Sequence, residues 1–251
     1  MNSEQLFVNE LVPTYITSAM SSQSRVMRDL IVRTFSPFIR RGRALELGCE
    51  IGYMTEKLSK LVDHIDIVDG AQEFLDMTKE RHISNASYFN CLFEEFESKP
   101  IYDWVFANHV LEHLQDVPTV LNMVKRVLKP SGYLFVTVPN AKALSRQLAR
   151  HMGVIKDLYE LTPNDIRGGH RRVYDKVLLK REMKNNGLDI ILQGGIFFKP
   201  FADFQLDKMI NSKIIGEQQI EGLYSLGDDY PDMCADIYAI CKNCQSKCEQ
   251  I

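Results

Sequence analysis

Two carboxylates and two glycines form the first group of residues that could do chemistry. The segment ELGCEIG, from Glu46 to Gly52, follows a short apolar run and opens a helical pattern, and Asp69 lies 21 positions after Gly48. Glycine permits positive φ and close approach of the backbone, and a helix N-terminus offers free amides to an anion. A later carboxylate can accept the hydroxyls of a ribose. The spacing therefore predicts a ligand that contains a nucleoside.

The charge of the segment distinguishes between nucleoside ligands. A dinucleotide fingerprint needs glycine at its first, third and sixth positions, and with Gly48 first the third is Glu50. A carboxylate against a pyrophosphate in a partly desolvated site costs on the order of a few kcal/mol. S-adenosylmethionine has no pyrophosphate, and its cationic sulfonium and ammonium favour Glu46 and Glu50 as neighbours. Its carboxylate can use the amides after Gly48. The segment therefore favours S-adenosylmethionine over a nicotinamide dinucleotide.

Histidines supply the second group. Histidine can remove a proton from an oxygen acceptor near neutral pH. His109, Glu112 and His113 stand at i, i+3 and i+4, which is one face of a helix. His109 is predicted to line the pocket, whereas a histidine at the position of His113, beside a helix start, more often packs or caps than binds a metal.

The segment GGHRRVYD, from Gly168 to Asp175, contains a further histidine. His170 is a second candidate base, and Arg171 or Arg172 could hold an acidic group of the acceptor. The alternative is a solvated loop anchored by Tyr174. We therefore expect His109 and His170 to be the catalytic residues.

Alternating apolar runs and helical patterns place these residues in an α/β fold. Five strands separated by helices argue for a doubly wound sheet with right-handed crossovers. The strands are predicted at 44–47, 64–69, 86–91, 102–107 and 133–138. Ligands of such sheets bind at the carboxyl ends of the strands. The residues that fall at this edge are Gly48, Asp69, Leu92, Asn108 and Val138.

The pattern changes after Pro139. Two further strands are expected, at 188–198 and 235–242. The segment between them is expected to form an inserted subdomain that covers one edge of the sheet. We therefore predict a single α/β domain: a mostly parallel seven-stranded sheet, helices on both faces and an added lid or insertion. Its predicted parts are an N-terminal helical segment (1–40), a cofactor-binding core (41–140) and an acceptor-side lid or insertion (141–175 and 200–232).

Four segments between Arg43 and Asn140 carry a family resemblance. ELGCEIG, IDIVDG, YDWVFANHVLEHL and LKPSGYLFVTVPN resemble, in order, the motifs of the class I S-adenosylmethionine-dependent methyltransferases. The resemblance implies a Rossmann-like fold and assigns a set of cofactor contacts along the strand ends. These are Glu46, Gly48, Cys49 and Gly52 for the methionyl end, Asp69 and the adjacent Gly70 for the ribose, Leu92 and Phe93 for the adenine, and Asn108 with His109 around the methyl group.

Two positions depart from the family pattern. The family usually has glycine where Glu50 stands, and often Asp where Leu92 stands, which puts the loop conformation and the contact to the adenine amino group in question. Some quinone O-methyltransferases of the family bind a metal through a Glu/Glu/His set at similar positions. Here the first Glu would be His109, and we expect no metal.

Composition limits the partners and the compartment. With 33 acidic and 30 basic residues the net charge is -3, so no broad positive field is available for nucleic acid. No apolar run approaches the roughly 20 residues that cross a bilayer, and no basic-then-apolar leader is visible. Six cysteines in 251 residues indicate reduced thiols in a cytoplasm. Cys241, Cys244 and Cys248 could begin a zinc site, but a loose reduced tail is the expected alternative.

The function expected from these observations is the transfer of a methyl group from S-adenosylmethionine to an oxygen or nitrogen of a small organic acceptor. Methyl transfer requires in-line alignment and exclusion of water. Two alternatives stay open: a non-catalytic S-adenosylmethionine-binding protein, suggested by Glu50 and Leu92, and a nicotinamide-dependent oxidoreductase. The oligomeric state and the identity of the acceptor are left open.

Overall fold

A computed structural model describes residues 3–243 of the chain, and within them seven strands form one sheet. The strand order is β3-β2-β1-β4-β5-β7-β6. The strands are β1 (Arg43–Leu47), β2 (His64–Asp69), β3 (Ala86–Asn90), β4 (Tyr102–Asn108), β5 (Leu128–Pro139), β6 (Leu188–Ile196) and β7 (Asp236–Asn243). Strands β1 to β5 pair in parallel, and β7 is antiparallel to both of its neighbours. The predicted mostly parallel, seven-stranded sheet is confirmed.

Ten α-helices surround the sheet in the described part of the chain. They are α1 (Ser3–Ala19), α2 (Ser22–Phe35), α3 (Tyr53–Ser59), α4 (Gln72–Lys79), α5 (Val117–Val127), α6 (Leu144–His151), α7 (Pro163–Arg167), α8 (Lys176–Asn185), α9 (Asp203–Asn211) and α10 (Glu217–Asp229). Leu121 of α5 and Leu179 of α8 belong to the core on one face of the sheet. Phe35 of α2 and Leu75 of α4 belong to the core on the other face. Both faces are therefore covered, which is why the central strands read as continuous apolar runs.

Side-chain hydrogen bonds set the starts of two helices. Helix α2 begins at Ser22, because the side chain of Ser21 accepts a hydrogen bond from the amide of Ser24. Helix α6 begins at Leu144. The side chain of Asn140 accepts from the amide of Lys142 at 2.9 Å, which makes a turn before the helix can start.

The segment between β6 and β7 forms α9 and α10 beside α2. Leu206 and Ile215 join the core that α2 shares with the sheet. The carboxylate of Asp207 accepts from the amides of Ser22 and Gln23, at 2.8 and 3.2 Å, and so caps the start of α2. These helices are therefore fastened to α2 by both apolar and polar contacts.

The structure bears on two further expectations. Within residues 3–243, no helix combines the length and the apolar character needed to span a bilayer. Cys241 is buried in β7, whereas Cys244 and Cys248 lie outside the described residues. The candidate zinc cluster therefore stays a prediction.

Candidate cofactor and acceptor site

The turn after β1 is built around Gly48. Its φ of +75° lies in the left-handed region, and its amide donates to the carbonyl of Val68 at 2.8 Å. A Cβ placed on Gly48 would lie 3.7 Å from Val110 and 3.8 Å from Phe93, which are ordinary contact distances. The turn therefore lies beside Phe93, with room on that side.

Gly52 has a different role, because it lets α3 pack against α4. Its φ is +73°, and a Cβ there would lie 2.7 Å from the side chain of Thr78 and 2.9 Å from that of Arg81. We expect Gly52→Ala to lower the free energy of unfolding by about 1–3 kcal/mol, measured by urea denaturation. The matched control is Gly222→Ala in α10, where a Cβ meets nothing within 4 Å. Equal stability of the two variants would contradict this account.

Asp69 ties the end of β2 to this turn. Its carboxylate accepts from the amide of Cys49 at 2.9 Å and from the amide of Ala71 at 2.8 Å. Burial raises the pKa of Asp69, and the two amides oppose that rise. A carboxylate offers about four lone-pair sites, so Asp69 can still accept hydrogen bonds from a ligand.

Glu46 is a buried carboxylate at the end of β1. It is 1% exposed, and neither of its oxygens has a hydrogen-bond partner within residues 3–243. Burial raises its pKa to about 8. An unpartnered carboxylate at this depth is a strong site for a cation.

Glu50 has the left-handed backbone that the family usually gives to glycine. Its φ is +49°, and Nη2 of Arg28 in α2 donates to its Oε2 at 2.5 Å. Burial raises the pKa of Glu50, and the charge of Arg28 opposes the rise. The family departure is therefore accommodated by an ion pair, which also neutralises part of the charge expected from this residue.

The remaining predicted cofactor residues lie along the same edge. Leu92 is buried, and its side chain is 3.3 Å from the position of a Cβ on Gly70. Asn108 points into the sheet, where its Oδ1 accepts from the hydroxyl of Thr137 at 3.0 Å. The structure therefore places Leu92 beside Gly70 and holds Asn108 by its own strand neighbour.

Helix α1 covers this edge, a contact that the sequence did not indicate. The side-chain amide of Gln5 donates to the carbonyl of Gly70 at 2.5 Å. The hydroxyl of Tyr15 donates to the carbonyl of Gly168 at 3.0 Å and lies 2.9 Å from Nε2 of His113. Helix α1 therefore contacts both the turn after β2 and the loop that contains His170.

A cluster of titratable side chains (His109, Glu112, His113 and His170) is formed by the segment after β4 and by this loop, which contributes His170. Both oxygens of Glu112 are buried without a hydrogen-bond partner among the described residues, Oε1 lies 3.8 Å from Nε2 of His113, and burial raises the pKa of Glu112. Burial, with the nearby charge of His170, lowers the pKa of His113 to about 3. The rings of His113 and His170 meet edge to face, 4.7 Å apart. The cluster brings both predicted catalytic histidines into one neighbourhood.

Three members of the cluster could hold a metal ion. Glu112, His113 and His170 offer ligand atoms that all lie within 4.8 Å of one another. Carboxylate and imidazole together suit a divalent transition metal. The expectation of no metal stays a prediction, and His170 is the member that sequence spacing could not have added.

His109 pairs with a residue that the sequence analysis missed. Its Nε2 lies 2.6 Å from Oδ2 of Asp236, the first residue of β7. Burial lowers the pKa of His109, but the charge of Asp236 and the hydrogen bond outweigh it and raise the pKa to about 9. No local sequence signal could join residues 127 positions apart.

Comparison with known families decides the identity of the chain. The profile of the family described as "Methyltransferase domain" matches residues 20–193, more than two thirds of the sequence. The chain belongs to the class I S-adenosylmethionine-dependent methyltransferases. The methyl donor of this family is S-adenosylmethionine, so the family predicted from four motifs is confirmed.

Relatives of known name support the same family. The ubiquinone biosynthesis O-methyltransferase of Bradyrhizobium sp. (strain ORS 278) is 28% identical over 188 residues, covering 71% of this methyltransferase and 72% of that protein. The human mitochondrial ubiquinone biosynthesis O-methyltransferase is 28% identical over 173 residues, covering 64% of this methyltransferase and 45% of the human protein. The methyltransferase thus spans about half the length of its mammalian relatives.

Solved structures show the same fold at low identity. The N-methyltransferase NodS from Bradyrhizobium japonicum WM9, in complex with S-adenosyl-L-homocysteine, superposes with a TM-score of 0.62 at 15% identity, covering 97% of this chain and 99% of that one. A possible histamine N-methyltransferase from Thermotoga maritima superposes with a TM-score of 0.65 at 13% identity, covering 95% of this chain and 99% of that one. The Rossmann-like methyltransferase fold is confirmed.

Proposed function

We propose that the methyltransferase transfers a methyl group from S-adenosylmethionine to an oxygen or nitrogen of a small organic acceptor by in-line displacement. The observation that carries this proposal is the buried, unpartnered carboxylate of Glu46 next to the Gly48 turn and Asp69. Burial makes ionisation of this carboxyl unfavourable, and a cationic ligand offsets that cost by pairing with the ionised form. A pyrophosphate would instead add negative charge to the same edge.

The predicted cofactor contacts fit this donor. Glu46 and the amides after Gly48 suit the ammonium and carboxylate of the methionyl end, and Asp69 retains acceptor capacity for the ribose hydroxyls. We assign the donor site to Glu46, Gly48, Cys49, Gly52, Asp69, Gly70, Leu92, Phe93 and Asn108. When bound, S-adenosylmethionine supplies a methyl group already activated by its sulfonium.

The acceptor side of the site has to exclude water and position the nucleophile. Helix α1 and the loop from Gly168 to Asp175 cover His113, and His109 and His170 are the proposed proton-accepting residues. The acceptor-side lid that we propose is residues 141–175. An acceptor role for residues 200–232 stays a prediction, because α9 and α10 lie beside α2.

Partners and location extend the proposal. The net charge of -3 supports a small-molecule acceptor rather than nucleic acid, and nothing in the sequence favours a membrane partner. The four cysteines within residues 3–243 are unpaired, which supports a reducing cytoplasm.

Two measurements test the proposed function. Calorimetry should show binding of S-adenosylmethionine and no micromolar binding of a nicotinamide dinucleotide. Transfer of labelled methyl to a panel of phenols, carboxylic acids and amines should then yield a methylated product. Binding without transfer to any acceptor would favour the non-catalytic alternative, and micromolar dinucleotide binding would favour the oxidoreductase.

The raised pKa of Glu46 predicts a pH-dependent affinity. Below about pH 8 the carboxyl is protonated, and a cationic ligand favours its ionised form, so binding releases a proton. We expect the affinity for S-adenosylmethionine to rise by up to about tenfold per pH unit towards pH 8 and then to level off. The same shift lowers the protein's stability as the pH rises from about 4.5 to about 8.

Calorimetry across this pH range, in buffers of different ionisation enthalpy, measures both affinity and proton release. The ligand's own amino group titrates near pH 8, so the comparison is with Glu46→Gln, which should flatten the profile. Glu73→Gln, an exposed change in α4, is the control. Identical profiles for Glu46→Gln and the unmodified protein would remove Glu46 from the donor site.

A further inference from the structure

We propose that Asp236 is a positioning residue: it holds His109 through Nε2, so that Nδ1 of His109 takes the proton from a hydroxyl acceptor. This inference rests on the proposed function and narrows it. An acceptor that needs a base carries an ionisable hydroxyl, such as a phenol, whereas a neutral amine can attack with its own lone pair.

Sheet topology brings Asp236 to the site. Strand β7 runs antiparallel between β5 and β6, so its first residue, and not its last, lies at the carboxyl edge. There Asp236 is in register with Pro139 on one side and with Ile196 on the other. A carboxylate at the start of an inserted antiparallel strand thus reaches the end of β4, where His109 follows.

The backbone and the exposure of His109 leave its ring accessible to an acceptor. Its φ of +54° is uncommon for a residue other than glycine, and its amide donates to the carbonyl of Thr137 at 2.9 Å. The side chain of His109 is 38% exposed, whereas that of Asp236 is 6% exposed. The carboxylate is therefore buried behind a ring that stays accessible.

A hydrogen bond to Asp236 selects the tautomer of His109. A neutral ring with its proton on Nε2 donates to the carboxylate and leaves the lone pair on Nδ1, at the other side of the ring. When Nδ1 takes a proton, the resulting imidazolium is stabilised by the adjacent negative charge. This is the role of the carboxylate that orients the histidine in a hydrolase triad.

Other charged groups around His109 come from several elements. Glu112 adds to the rise of its pKa, whereas Arg28 of α2 opposes it. Glu50 interacts with the charge of His109 as well, but it is paired with Arg28. His113 stays neutral down to about pH 3, so it does not compete for the proton. Asp236 is therefore the group that sets the basicity of His109.

In the proposed step, one proton moves to His109 and one methyl group moves to the acceptor. The oxygen of the acceptor forms a bond to the methyl carbon as the hydroxyl proton passes to Nδ1 of His109. The carbon–sulfur bond breaks with its electron pair going to sulfur, which gives neutral S-adenosylhomocysteine. The imidazolium of His109 then loses its proton to solvent.

NMR titration of the histidine rings, with His109 identified by the loss of its signal in His109→Gln, tests the pairing without any acceptor. In the unmodified protein we expect His109 to titrate near pH 9, and in Asp236→Asn at least two units lower. Asp236→Glu should restore the high value, and Asp232→Asn, at an exposed position four residues earlier, should not change it. An unmodified His109 that titrates at or below pH 6.5, or an unchanged titration in Asp236→Asn, would overturn the proposal.

The pH profile of kcat/KM for the phenol that reacts best in the acceptor panel tests the catalytic step. The acidic limb should move to lower pH in Asp236→Asn, with a lower plateau because the base is weaker. A lower plateau with an unmoved limb would mean that Asp236 is structural, and turnover of amines alone would exclude the hydroxyl assignment. If the proposed function is wrong, the unmodified protein will not bind S-adenosylmethionine. The NMR titration of His109 can still be measured in that case, because it needs no ligand.

Discussion

Replacing His109 with alanine is expected to lower kcat by about 100- to 10,000-fold above about pH 9, where the ring is neutral, while changing the affinity for S-adenosylmethionine by less than about threefold. The reason is that the ring accepts a proton only as the acceptor reacts. Its Nε2 is held by Asp236 at 2.6 Å, and the donor contacts lie on Glu46, Gly48 and Asp69. Steady-state kinetics with the hydroxyl acceptor, together with calorimetry of donor binding, measure the two effects separately.

His170 and His151 provide the comparisons for this variant. His170→Ala should reduce kcat less than His109→Ala, because Nδ1 of His170 lies 3.4 Å from Asp165 and the loop around it serves mainly to cover the acceptor. His151→Ala, at the exposed end of α6, should leave kcat unchanged. If His109→Ala is fully active and His170→Ala is inactive, His170 is the base. If both variants are fully active, neither histidine is the base.

Replacing Asp69 with alanine is expected to weaken S-adenosylmethionine binding by roughly 5- to 150-fold, equivalent to about 1–3 kcal/mol. Two losses combine in this variant. The ribose hydroxyls lose their acceptor, and the amides of Cys49 and Ala71 lose theirs, so the Gly48 turn becomes less ordered before any ligand arrives. Calorimetry measures the affinity, and thermal unfolding without ligand measures the effect on the turn.

Asp69→Asn separates the two losses, because the amide oxygen can still accept one of the two backbone hydrogen bonds. Its affinity should lie between those of Asp69→Ala and the unmodified protein. Asp76→Ala, an exposed change in α4, is the control. Donor affinity that is unchanged in Asp69→Ala would place the ribose elsewhere on the sheet edge.

The framework of the site was predictable because buried parallel strands have a strong local signature. Strand β2 has the predicted bounds, 64–69, and β1, β3 and β4 differ from theirs by one residue at one end. Strands β1, β2 and β4 are almost wholly buried, whereas β3 is partly exposed; turn residues bound each of them, and the sheet then brings the carboxyl ends of the strands together. Glu46, Gly48 and Asp69 could therefore be assigned to one edge from sequence, since strand ends carry them.

The partners of these residues could not be predicted in the same way. Arg28 pairs with Glu50 across 22 positions, and Tyr15 meets His113 across 98. Such contacts depend on which face a helix turns to the sheet and on how the chain returns to its edge. No periodicity in the sequence specifies either.

The sequence by itself thus determined the family, the positions of the strands of the cofactor half and the residues at its ligand-binding edge, because these follow from local apolar patterns and from glycine turns. Only the tertiary structure decided how that edge is charged and closed. In the folded protein Arg28 neutralises part of the charge of Glu50, α1 covers the edge, and Asp236 pairs with His109. The physical reason is that ion pairs and hydrogen bonds between distant segments form only where packing of the two apolar cores has already fixed the positions of the helices and of the antiparallel strand.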